Sequence, residues 1–271
     1  VPPRRRPGRT VRMTDRGALP APLPPPGPFA VRAFQRYVAR LARKSLASVR
    51  WHALDAWHAW PPLPTLVVAN HTNWWDGFLS SPLSTAMGHH FRILMEARNL
   101  ARYKIFLRVG ALPIERRSPT QAMRDLARAT ACLAPGTMVW IYPQGQRSPA
   151  AAPIADLERG AAWMIERHGG PIRVLPVAFR YPFLGEQQPE CFILAGQSWV
   201  ESPGASMQRA AVHGRLTEGL RATIATLDAR LVSESLDDFA MLIAGRPSIN
   251  TRLDAVRHRL GLLDDYDRRN G

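Results

Sequence analysis

LPTLVVANHTNWWD, residues Leu63 to Asp76, is the stretch on which the fold turns. Its first half is a short apolar run with turn-formers beside it, which predicts a buried strand. Residues five apart on one straight helix lie about 140° apart around its axis, so on such a helix the side chains of His71 and Asp76 diverge. They meet only across a bend. A strand ending at Ala69, a turn holding His71 and a helix beginning near Asp76 supply that bend. Active-site residues of α/β sheets commonly sit at such strand ends. An aspartate that accepts a hydrogen bond from one imidazole nitrogen there sets the tautomer and leaves the other nitrogen free as a general base.

Working outward, FRILME (91–96), GTMVWIYP (136–143), IRVLPVAFRY (172–181) and CFILAGQSWV (191–200) read as further buried strands. Between and after them, Thr120 to Leu133, with Met123, Leu126 and Thr130 on one face, reads as helical, as do Ile154 to His168, Met207 to Leu231 and Leu236 to Ala244. Strands alternating with helices predict an α/β fold, a central β-sheet flanked by helices. From Phe29 to about Arg50, Phe34, Val38 and Leu41 share one helical face while Arg32, Arg36, Arg40 and Arg43 run down another. This N-terminal basic amphipathic helix fits two roles, a surface helix docked on the core or a segment lying on a membrane. The chain then divides into a flexible Pro/Arg-rich tail (1–28), an amphipathic membrane-proximal segment (29–60), a catalytic domain (61–250) and a charged C-terminal tail (251–271).

The net charge is +15, carried by 34 arginines and two lysines, Lys44 and Lys104. That balance favours anionic partners and bidentate recognition of phosphate. A nucleic-acid module is not expected, because the basic residues scatter over tail, helix and C-terminus and show no zinc-finger or RNA-recognition pattern. Cys132 and Cys191 have neither disulfide-framework nor zinc spacing, and the histidines show no metal-ligand pattern with carboxylates, so no metal is expected. Residues 56–75 are uncharged over a membrane-spanning length, but Pro61, Pro62, Pro64 and several polar side chains argue against a transmembrane helix. Glycine-rich nucleotide-binding loops and a G-x-S-x-G nucleophile elbow are missing from the sequence.

Asn70, His71 and Asp76 match N-H-x4-D, and here the sequence resembles the glycerolipid acyltransferase family that includes the 1-acylglycerol-3-phosphate acyltransferases. Three further blocks follow in that family's order: GALPIER (Gly110 to Arg116), YPQGQRS (Tyr142 to Ser148) and VLPVA (Val174 to Ala178). Two positions depart from the third motif, Gln144 standing for its glutamate and Gln146 for its threonine, and Pro113 is unusual in the second. The resemblance implies acyl transfer from a thioester, coenzyme A or acyl carrier protein, to a lipid hydroxyl, with no further cofactor. It makes His71 the general base and Asp76 its orienting partner, and it gives Asn70, Arg116, Arg117, Gln144, Gly145, Gln146, Arg147 and Ser148 to substrate binding. The favoured acceptor is a lysophospholipid such as 1-acylglycerol-3-phosphate, with a glycolipid or carotenoid glycoside hydroxyl as the alternative. A non-catalytic lipid binder and a basic nucleic-acid binder are the readings from other classes. Trp74 and Trp75 are acyl-groove candidates beside the base, or else ordinary packing. Membrane lipids at the bilayer surface are the expected partners, with the protein cytoplasmic and peripheral on the inner face of the cell membrane.

Overall fold

The computed structural model of the chain describes residues 18–154, 157–202, 208–246 and Arg257. The expected flexible tail falls outside them over residues 1–17, and so does the charged C-terminal tail apart from Arg257.

Nine strands among the described residues form one mixed sheet: β1 (Ser48–Ala53), β2 (Thr65–Ala69), β3 (His90–Glu96), β4 (Ala111–Ile114), β5 (Thr137–Ile141), β6 (Ile172–Arg180), β7 (Glu190–Ala195), β8 (Trp199–Glu201) and β9 (Ala240–Ala244). Their order across it is β4-β3-β5-β2-β6-β7-β1-β9, with β8 paired to β6. The five strands from β4 to β6 are mutually parallel. β7 turns antiparallel to β6, and β1 runs parallel to β7.

Every residue of β2 is buried, as expected of a parallel strand covered on both faces. Its alternate side chains part into two cores. Val67 and Ala69 join Trp140, Phe179 and the apolar faces of α1 (Pro28–Ser45) and α2 (Trp75–Ala86). Leu66 and Val68 join Val139, Val174 and the faces of α5 (Pro119–Ala131), α6 (Gly160–His168) and α7 (Arg209–Val232). The short helices α3 (Ala97–Arg102) and α4 (Ile105–Arg108) lie between β3 and β4. The α/β expectation, a sheet flanked by helices behind a basic amphipathic helix, is the architecture observed. Cys132 and Cys191 are both buried free thiols.

Two prolines show how the sheet absorbs missing donors. Pro113 lies in β4, an edge strand, where only one side needs backbone partners. Pro176 lies in the centre of the sheet, but it sits where the partner of β6 changes from β8 (172–174) to β7 (177–180). Its carbonyl accepts from the Gly196 amide at 2.9 Å. A residue's N–H and C=O point to the same side of a strand, so its missing N–H faces the gap between those two partners.

Several sequence expectations are corrected. The first helix stops at Ser45, not near Arg50, and the next residues enter the sheet as β1, inside the segment read as membrane-proximal. Leu236 to Ala244 is not helical: its last five residues form β9, antiparallel to β1. A five-residue apolar run has no decisive period of its own, and the open edge of β1 decides it. Cys191 to Val200 is two strands, because Gly196 leaves β7 to donate to Pro176. The core face of α5 is Asp125, Leu126, Ala129 and Thr130, with Met123 41% exposed. No described helix is long and apolar enough to cross a membrane.

Candidate active site

The four motif blocks lie apart in sequence but follow strands whose carboxyl ends share one edge of the parallel sheet. His71 follows β2, Arg116 follows β4, Tyr142 to Ser148 follow β5, and the last block runs through β6. This edge is the crevice where open α/β sheets place their ligands.

His71 sits in the turn and Asp76 in the first turn of α2, joined by Nδ1 to Oδ2 at 2.9 Å. The backbone amides of Thr72 and Asn73 donate to the same Oδ2 at 2.7 and 2.8 Å. Asp76 is fully buried, and a carboxylate so placed persists because these donors satisfy it. With Nδ1 engaged, the free ring nitrogen of His71 is Nε2, and its ring borders a large cavity. Tyr142 packs on the imidazole with centroids 4.6 Å apart, its hydroxyl 2.7 Å from Ser80 Oγ. Burial, and secondly the Asp76 charge, push the Tyr142 phenol well above its usual range, so it remains a neutral hydroxyl.

The loops are stitched to one another around this pair. The Gln144 side-chain carbonyl accepts from the His71 amide at 2.6 Å, and the Ser148 amide donates to the His71 carbonyl at 2.9 Å. Gln144 therefore braces the histidine loop. An amide suffices there because the bond needs an acceptor and no charge. Asn70 likewise bonds within the protein. It is fully buried, its Oδ1 accepting from Phe179 N at 2.8 Å and its Nδ2 donating to Phe179 O at 3.2 Å. It clamps the end of β2 to β6.

Arg116 donates to the Gly145 carbonyl and pairs with Glu158 at 3.2 Å. Gly145 has φ +70°, a conformation that calls for glycine, and a Cβ there would displace the flexible end of Arg116. The Gly145 amide donates to the Tyr142 carbonyl at 3.0 Å and that of Ser148 to the His71 carbonyl, and the side chains of Arg116 and Arg147 line the cavity beside this turn. Gln146 and Arg147 are exposed at the cavity, whereas Arg117 is exposed without lining it.

That cavity measures about 1550 Å³. It runs from His71, Arg116 and Arg147 to an apolar end formed by Trp74, Phe78, Met95, Phe106 and, from α1, Phe34 and Tyr37. Trp74 is 43% exposed and lines it, while Trp75 is 4% exposed and packs in the core. Of the two, Trp74 alone lines the cavity. Sequence reading passed over Tyr142, Ser80, Glu158 and Tyr181, whose hydroxyl donates to Asp76 Oδ1 at 2.7 Å. Two tyrosines directly after strands β5 and β6, at the edge where His71 emerges, were the available signal.

Residues 57–180 match the sequence model of the family described as Acyltransferase, a span that holds all four blocks. Over this span the chain is similar to an acyltransferase domain. The crystal structure of the 1-acyl-sn-glycerophosphate (LPA) acyltransferase PlsC from Thermotoga maritima resembles the chain with a TM-score of 0.54 and 15% identity, over 74% of this chain and 80% of that one. That likeness is one of fold, and the matched span lies within a sheet similar to that of PlsC. No curated protein matches the chain in sequence. Among the described residues, no cluster of three or more His, Cys, Asp or Glu side chains is arranged to hold a metal ion.

Proposed function

We propose that the protein transfers a fatty acyl group from an acyl thioester, acyl-coenzyme A or acyl carrier protein, to the hydroxyl of a lysophospholipid such as 1-acylglycerol-3-phosphate. The observation that carries this reading is the His71–Asp76 pair opening onto a cavity with guanidinium groups near the base and an apolar groove beyond. In this reading His71 Nε2 takes the acceptor's proton as its oxygen attacks the thioester carbonyl. Asp76 stabilises the imidazolium through Nδ1, and collapse of the tetrahedral intermediate expels the thiolate, which recovers the proton. Arg147 and Arg116 hold the head group, and the groove beside Trp74 takes a hydrocarbon chain. The test is transfer of labelled acyl groups from acyl-coenzyme A and acyl carrier protein to a panel of lysophospholipids and neutral lipid hydroxyls. Product with a lysophospholipid supports the reading, and product only with neutral or glycosidic hydroxyls overturns its acceptor.

The membrane remains part of this proposal, on the inner face of the cell membrane. Exposed Phe29, Tyr37, Tyr103, Ile105 and Leu107 accompany Arg32, Arg36 and Arg40 around the apolar end, a mixture suited to an anionic bilayer surface.

Two expected outcomes follow from the groove and its mouth. Trp74→Ala shifts acyl-chain preference in a stable protein, measured with donors of graded length, while Trp75→Ala mainly lowers the melting temperature because it opens the core. Glu158 competes with an acceptor phosphate for Arg116 across an exposed pair whose strength is about 0–1 kcal/mol. Glu158→Gln therefore lowers KM for a phosphomonoester acceptor by about twofold to fivefold. KM for a neutral lipid hydroxyl stays unchanged in the same steady-state assay.

A further inference from the structure

The two oxygens of Asp76 have different surroundings. Oδ2 receives His71 and the amides of Thr72 and Asn73, while Oδ1 receives the hydroxyl of Tyr181 at 2.7 Å. Tyr181 comes directly after β6 and so is carried to this edge by the strand that neighbours β2. The clamp from Asn70 to Phe179, two residues earlier, holds that approach.

We propose that Tyr181 is a positioning residue for acyl transfer: its hydroxyl fixes the rotation of the Asp76 carboxylate and draws part of its charge away from His71. This inference rests on the acyltransferase reading above. The Thr72 and Asn73 amides anchor Oδ2, and the Tyr181 hydroxyl adds the hold on Oδ1 that resists rotation about the Cβ–Cγ bond. With Oδ1 held by Tyr181, Oδ2 faces His71 throughout the proton transfer. The phenol also offsets the carboxylate's attraction for a second ring proton, which favours the neutral imidazole that a general base requires.

The groups around the pair agree with this role. From β5 comes Tyr142, and from β7 comes Cys191, each buried and held by that burial above its ordinary range. Burial does the same to Tyr181, which keeps it a donor. Arg180, the next cation along β6, is turned to Asp228 on α7 with bonds of 2.6 and 2.8 Å. Arg116, Arg147 and Glu158 stand at the cavity mouth. The donors on Asp76 besides His71 are thus two amides and one phenol, and the phenol is the only one of the three that belongs to a side chain.

The experiment compares wild type, Tyr181→Phe and a protein with 3,5-difluorotyrosine at 181, whose more acidic phenol is the stronger donor in an almost unchanged shape. Steady-state transfer from acyl-coenzyme A is measured across pH, and the His71 ring is titrated by NMR in the same proteins. Tyr181→Phe is expected to lower kcat about tenfold, with KM for acyl-coenzyme A within twofold, the size of effect of one hydrogen bond to a charged group. The acid limb of kcat/KM and the His71 titration move to higher pH in Tyr181→Phe and to lower pH in the difluorotyrosine protein. In an Asp76→Asn background, Tyr181→Phe adds no further loss, because its route runs through Asp76. Unmoved pH profiles, or additive losses in the double variant, overturn the proposal and leave Tyr181 a packing residue. Should wild type transfer no acyl group, the acyltransferase reading fails, and the NMR titrations still decide whether Tyr181 tunes His71.

Discussion

Replacing His71 by alanine is expected to lower kcat for acyl transfer by about 10²–10⁴-fold, the usual contribution of a positioned general base. The folded state should scarcely notice. The His71 side chain borders the cavity, and the bonds that stitch its loop, from Gln144 and Ser148, go to its backbone and survive the substitution. Removing the ring leaves Asp76 with the Thr72 and Asn73 amides and the Tyr181 hydroxyl, so the buried charge keeps most of its donors. Rates with acyl-coenzyme A and the preferred acceptor, alongside a thermal melt, check both halves. A variant within tenfold of wild type removes His71 from the chemistry and shifts weight to a lipid binder whose site only resembles an enzyme's.

The second large effect is structural. Asn70→Ala is expected to destabilise the protein by about 1–3 kcal/mol, since it strands the buried N–H of Phe179 and leaves the Phe179 carbonyl only the 3.3 Å bond from Arg180. Asn70→Asp restores only half of the clamp: its carboxylate accepts from the Phe179 amide but confronts the Phe179 carbonyl with a second acceptor. Urea denaturation with matched m-values measures the loss. Activity should fall in both variants because the clamp aligns the end of β2, which carries His71, with the end of β6, which carries Tyr181. Destabilisation below about 1 kcal/mol would mean that water replaces the side chain at this point.

Much of this molecule was legible before any coordinates. The strand, turn and helix around His71 follow from a short apolar run, a non-helical spacing and polar residues between, all local properties of the chain. The same is true of β5 and β6, whose largely apolar runs reflect burial on both faces, and of β3, which is buried only over Phe91–Ile93. Where local signals were weak, the sheet decided: β9 is a strand because β1 offers it an edge, and β1 is a strand because β7 does. β4 was read as a motif and not as a strand, its four residues and proline being tolerable only at an edge.

The site divides along the same line. The His71–Asp76 pair, the arginine after GALPIE and the turn after β5 are legible in the chain, because in each case the pattern lies in residues close together. Only the tertiary structure decided what those residues touch. It set Asn70 and Gln144 to bracing loops, parted Trp74 from Trp75, brought Glu158 to Arg116 and Tyr181 to Asp76. Those pairings join residues 42 to 109 positions apart, for which the chain carries no local pattern. They arise from the order in which parallel strands lie side by side, and strand order is a property of the packed sheet.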